Sequence, residues 1–161
     1  MAQADFFLKI DGVEGESQDD KHPNEIQILS FSFGASNLGS GAVGTGSGSS
    51  KVNVQDAHFT KYVDKSSPNL FGACCSGKHF PTATVTIRKA GEDPMEYLVY
   101  KLSEVFVSSI TTSGHEGGGI AQESVSLNFS KIEMKYWPQK PEGGQGAVVP
   151  KTYDLKANKV S

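Results

Sequence analysis

Apolar and polar residues alternate with a period of two along most of this 161-residue chain. In "TATVTIRK", Ala83, Val85 and Ile87 point one way, with Thr82, Thr84, Thr86 and Arg88 opposite. "EYLVYKL" and "EVFVSSITTS" keep the same character, Val105 and Val107 alternating against Phe106 and Ser108. "SVSLNFSKIEMKYW" alternates from Val125 through Leu127 to Phe129, then resumes one residue out of phase at Ile132, Met134 and Tyr136. Because strand side chains alternate between faces, that slip predicts a β-bulge, a device that bends a strand in a barrel wall. A similar slip falls between Ile28 and Leu29 in "IQILSFSF". "AGEDPM" predicts a turn between two strands, and "SGHEGGG" a wider loop. Many strands with almost no helical period predict a mostly β chain, a barrel or a sandwich.

One segment departs from that period. In "SSPNLFGACCSG", Ser67 is placed as N-cap and Pro68 at the first helical position. Leu70, Ala73 and Cys74 share a face by i, i+3, i+4 spacing, and Gly77 suits a left-handed stop. A short helix over about residues 67–76 is expected. Residues 37–50, "NLGSGAVGTGSGSS", form a long Gly/Ser-rich loop between two strands. So little apolar surface cannot offset the entropy of ordering, and a loop of this length in a compact domain is functional or disordered.

Composition narrows the function. At 17.2 kDa the chain suits a single domain, 1–161. A net charge of −3 with no basic stripe argues against a nucleic-acid surface. Nothing approaches the ~20 apolar residues that cross a bilayer as a helix, so no membrane insertion is expected. The start, "MAQADFFLKIDGVEGES", lacks a basic region and an apolar run, so it does not read as a secretory signal. The protein is expected to be made in the cytoplasm, and to leave, if it leaves, by another route. Cys74 and Cys75 are adjacent, which suits neither a disulfide framework nor a zinc knuckle.

The candidate chemistry is thin. "GACCSGKH" places Gly72, Gly77 and Lys78 as a phosphate loop would, but His79 stands where a Ser or Thr should meet magnesium. A phosphate loop runs strand, loop, helix, whereas here helical signals precede the glycine and a strand follows. The glycine therefore reads as a helix stop, with Lys78 suiting the negative end of the helix dipole. Gly39, Gly41 and Gly44 match G-x-G-x-x-G, yet no helix begins there. His22, His58, His79 and His115 are scattered, and no nucleophile elbow occurs. No catalytic, cofactor or metal residues are assigned. What remains is "LSFSFG", where Phe31 and Phe33 project to one side and Ser30 and Ser32 to the other. That polar face is either an ordinary solvated surface or the lining of something.

Taken together, "DFFLKIDGVEGES", "EIQILSFSFG", "KVNVQDAHFTKYVDKSSPNLFGACCSGKHFPTATVTIRKAG", "EYLVYKLSEVFVSS" and "SVSLNFSKIEMKY" resemble the haemolysin-coregulated protein (Hcp) family, the tube protein of bacterial type VI secretion systems. The resemblance covers nearly the whole chain, apart from the Gly/Ser loop and a variable tail after about residue 137. It implies a β-barrel of two antiparallel sheets with one helix on its side. It further implies six-membered rings stacking into a hollow, secreted tube, non-enzymatic, that meets spike and sheath proteins and carries effectors in its lumen. On that footing Ser30 and Ser32 are expected to face the lumen. Asn37, Leu38, Gly39, Gly41, Val43, Gly44, Gly46 and Gly48 are expected to reach a neighbouring subunit or ring. The alternative is a small oligomeric β-barrel that binds a protein or ligand and does not polymerise.

Overall fold

The computed structural model describes residues 4–37, 52–91 and 93–161. Its elements, in chain order, are β1 (Ala4–Ile10), β2 (Ile26–Gln27), β3 (Ser30–Ser32), β4 (Ala35–Ser36), β5 (Asn53–Val54), β6 (Ala57–Tyr62), α1 (Ser67–Ser76), β7 (His79–Lys89), β8 (Met95–Ser113), β9 (Gln122–Asn128), β10 (Lys131–Tyr136), β11 (Val149–Asp154) and β12 (Lys159–Val160). Ten strands make one antiparallel sheet, and β4 and β5 make a small second one.

The large sheet runs β12-β11-β10-β8-β7-β1-β2, with a branch from β8 through β9 and β6 to β3. The branch exists because β8, at 19 residues, is long enough to pair along one edge first with β10 and then with β9. The two ends of this path meet at residues 26–32. Ile28 N donates to Phe6 O at 3.2 Å and Leu29 N donates to Thr60 O at 2.7 Å. The chain is thereby passed from β1 to β6, and backbone hydrogen bonds encircle the core. This explains the phase slip at Ile28 and Leu29. The chain changes partner there, so Ile28 is buried and Leu29 exposed, without a bulge.

The second slip also differs from the expected bulge. Asn128 pairs with Phe106 and Lys131 with Ser103, one register on both sides of the break, so no residue is inserted. Both strands turn together instead. Glu104 takes a left-handed conformation at φ 52, facing Pro81, which has no N–H to give the ladder. Ser130 donates its N–H to Ser103 O at 3.0 Å and its hydroxyl to Glu104 at 2.6 Å. The true bulges lie elsewhere in β8, where Tyr97 and Ser108 each lack a one-to-one partner. Extra residues of this kind sharpen the coiling that lets one strand serve two half-sheets.

Pairing of β7 with β8 stops at His79 and Phe106, and α1 covers the β8 edge beyond it. Leu70 and Ala73 of α1 are buried in the same cluster as Phe59, Val105, Val107 and Leu127, with Cys74 packed against it. Burying a leucine or phenylalanine of this kind contributes about 1.5–3 kcal/mol. The helix stops as expected, with Gly77 at φ 68 and Lys78 N bonded back to Ala73 O. The helix spans the expected residues, but its N-cap lies one residue earlier than expected. Ser66 occupies the N-cap without a side-chain capping bond, its hydroxyl donating to Asp64 instead, and Ser67 lies inside the first turn because its hydroxyl is drawn into the core. Beyond Trp137, β11 and β12 extend the sheet from β10.

Candidate functional site

The alternation that buries Phe59, Val125 and Leu127 forces their neighbours outward. On the outward side of the β3-β6-β9-β8 half-sheet, Ser30 lies beside Thr60, and Thr60 beside Ser124, which pairs with Thr111. One step along, Ser32 lies beside His58, then Ser126, then Ser109. Ser30 and Thr60 hydroxyls are 2.6 Å apart, and His58 Nδ1 is 2.9 Å from Ser126 Oγ. The result is a smooth face of small hydroxyl side chains with one imidazole. Among the described residues, no Lys, Arg, Asp or Glu lies within it. At its rim Asp56 accepts bonds from Ser108 at 2.6 Å and Asn128 at 3.0 Å.

The charged residues of β6 and β9, Lys61 and Glu123, are turned inward and neutralised there. Lys61 is fully buried. Its ammonium lies 2.8 Å from Glu123 and 2.9 Å from Asp64, and it donates to Tyr62 O and Ser67 Oγ, each at 3.0 Å. Ser67 in turn donates to Glu123 at 2.8 Å. An isolated charge at this depth would be prohibitive, so the group must be complete to exist. It locks β6, β9 and the start of α1 together beneath the hydroxyl face.

A second charged group secures the crossing loop between β1 and β2 on the outward side of β1. His22 stacks on Phe7 at 4.4 Å between ring centroids, and its nitrogens lie 2.8 Å from Glu25 and 2.7 Å from Glu96. Arg88 sits 4.9 Å over Phe7 and forks onto Asp19 at 3.0 and 2.7 Å. The hydrogen bond from Arg88 is the main reason the Asp19 carboxyl is held down to about 2. The same bond, with a second from Arg88 to Asp5, raises the guanidinium above its ordinary value.

Ser30 and Ser32 thus share an exposed face, and they are joined there by residues that the sequence reading did not place with them: His58, Thr60, Ser109, Thr111, Ser124 and Ser126. For those on β6 and β9 the signal was the period of two in "AHFTKY" and "ESVSLN", where every second residue is polar. Asn37 is exposed near Phe33, Val54 and Met134. Leu38, Gly39, Gly41, Val43, Gly44, Gly46 and Gly48 lie outside the described residues. In the stretch that imitates a phosphate loop, Lys78 follows the helix and His79 begins β7, an arrangement that offers no helix N-terminus to an anion. No metal-binding cluster of His, Cys, Asp and Glu occurs among the described residues. No described helix is long and apolar enough to cross a membrane.

Comparison with known proteins gives this architecture a class. Residues 7–136 match the family described as type VI secretion system effector, Hcp. The chain is 49% identical to protein Hcp1 of Pseudomonas aeruginosa over 156 residues, 96% of each chain. Among solved structures it is similar to a type six secretion system protein with a TM-score of 0.92 at 33% identity, covering 99% of this chain and all of that one. It is also similar to Hcp1 from Salmonella typhimurium, with a TM-score of 0.81 at 41% identity over the whole of both chains. These likenesses define a protein of the type VI secretion apparatus, and the chain belongs to the Hcp family.

Proposed function

We propose that this protein is the tube subunit of a type VI secretion system. Six copies close into a ring by heterologous contacts, and rings stack into a hollow tube that leaves the cell, meeting spike and sheath proteins and carrying effector proteins inside. The observation that carries this reading is the hydroxyl face of β3, β6, β9 and β8, met in a chain of the Hcp family. Turned towards the axis, it would give a channel wall that bonds weakly and everywhere. Such a wall neither grips apolar cargo nor repels a charged one.

The work is mechanical and needs no catalytic group. The Gly/Ser loop of residues 37–50 supports assembly by reaching a neighbouring subunit or ring, where glycine permits close backbone approach.

A Ser32→Trp variant tests the lumen assignment. It is expected to form rings of normal mass by light scattering and to lose co-purification of effector cargo, because six indoles would narrow the channel. Rings that carry cargo normally would count against the assignment. Lone particles from the wild-type protein under every condition would favour a barrel that binds its partner without polymerising.

A further inference from the structure

We infer that the hollow beside the loop joining β8 to β9 is a holding site for an aromatic side chain on the surface of a cargo protein. The inference rests on the ring reading above and names the place where the hydroxyl wall gives way to a grip.

The pairing registers carry that wall one row further. Beyond Thr60, Ser124 and Thr111, the next outward residues along β6, β9 and β8 are Tyr62, Gln122 and Ser113, which lie side by side and are exposed. Together with His115, Gly118 and Ile120 of the loop, they line a hollow of about 730 Å³. That volume falls within the range of sites that take small ligands or single large side chains.

Its chemistry differs from the wall's. Tyr62 is 46% exposed and Ile120 68% exposed, and neither belongs to the core cluster. Among the described residues, no Lys, Arg, Asp or Glu lines the hollow. An apolar ring and a branched aliphatic chain with His115, Gln122 and Ser113 close by suit a group with an apolar body and a polar edge, such as tryptophan or tyrosine. The site is also held in shape. Lys61 donates to Tyr62 O at 3.0 Å from below, so the buried ion group fixes the backbone that carries the ring. Val63 N donates to Ala121 O at 2.9 Å and Gly118 N to His115 O at 3.2 Å. A Cβ at residue 118 would lie 2.7 Å from the His115 ring, so glycine is what lets the imidazole fold over the turn. Such preorganisation lowers the entropy cost of taking a ligand.

The wall it adjoins sets what fills it. In the ring reading this face looks onto the bore, so the hollow is offered to whatever travels there. One side chain held this way is a weak contact, but several of six sites engaged by one cargo would hold it by avidity and still let it go.

Two measurements on the full-length protein test this. With its isoleucine methyl groups labelled, the wild type is titrated with N-acetyl-tryptophanamide. The Ile120 resonance is expected to shift saturably at roughly millimolar concentration, to stay in place with N-acetyl-alaninamide, and to stop responding in a Tyr62→Ser variant. Rings carrying Tyr62→Ser with Ile120→Ser are expected to match the wild type in mass by light scattering and in tube length by electron microscopy, while the effector co-purifying with them falls at least about tenfold. Should circular dichroism show that the double variant misfolds, Ile120→Ser alone, at an exposed loop position, carries the same test. An Ile120 resonance unmoved by the tryptophan amide, or variant rings that keep their cargo, overturns the inference while the ring reading stands. Variant rings that keep their mass but no longer stack would assign the hollow to the contact between rings, and overturn it as well. A wild-type protein that never assembles overturns both readings.

Discussion

Asp19 shows how much a single side chain can depend on a residue far away in sequence. Its carboxyl is held at about 2, against an ordinary 3.8, chiefly by the hydrogen bond from Arg88, 69 positions on. A carboxyl whose value is lower in the folded chain stabilises the fold above its unfolded value and loses that contribution as pH falls through the folded one. The pair is partly open to solvent, so its worth is discounted to about 1 kcal/mol. Asp19→Asn is therefore expected to lower stability in urea by that amount above pH 3.8, with the gap from wild type closing as pH falls towards 2. A gap that did not change with pH would assign the loss to packing instead. Nothing in "GESQDDKH" distinguishes Asp19 from Asp20, because the choice is made by where β7 presents Arg88.

Among the elements, α1 was the most legible, since its face, its proline and its glycine stop are local signals. Its N-cap was not. Ser67 and Pro68 fit the N-cap and first positions by propensity, but Ser67 is pulled one place inward by Lys61 and Glu123, from two other strands. Tertiary hydrogen bonding outweighed a cap worth about 1 kcal/mol. Removing one member of that buried group leaves the others uncompensated. Glu123→Ala is expected to cost about 3–5 kcal/mol in chemical unfolding, whereas Lys61→Met with Glu123→Leu should recover most of the loss. A single-variant cost near zero would show that water reaches the ammonium. The phase slips teach the same lesson at strand level. A break in alternation was visible in the sequence, but a bulge, a paired kink and a change of partner all produce one. Pro81 facing Glu104 and the transfer from β1 to β6 belong to the pairing of distant segments.

At the scale of the whole molecule, the hydroxyl face and the buried charges form a division of labour. Charge is kept off the first and neutralised in the second. The Gly/Ser loop enters here as well. Deleting residues 39–48 is expected to leave thermal unfolding of the isolated chain within a few degrees, because such composition adds little buried surface. The same deletion should weaken ring or tube formation, read as a lower mass in light scattering or shorter assemblies in electron micrographs. Unchanged assembly would remove the loop from the interface.

The strand content, the helix and its stop, the polar side of β3 and the family were determined by the sequence alone. Each depends on near neighbours or on a string of residues too specific to be accidental. Tertiary structure decided which strands lie side by side. That choice gathered His58, Thr60, Ser109, Thr111, Ser124 and Ser126 around two serines and enclosed Lys61 with Glu123. Alternation says which way a side chain points, but only backbone pairing between distant segments says what stands next to it.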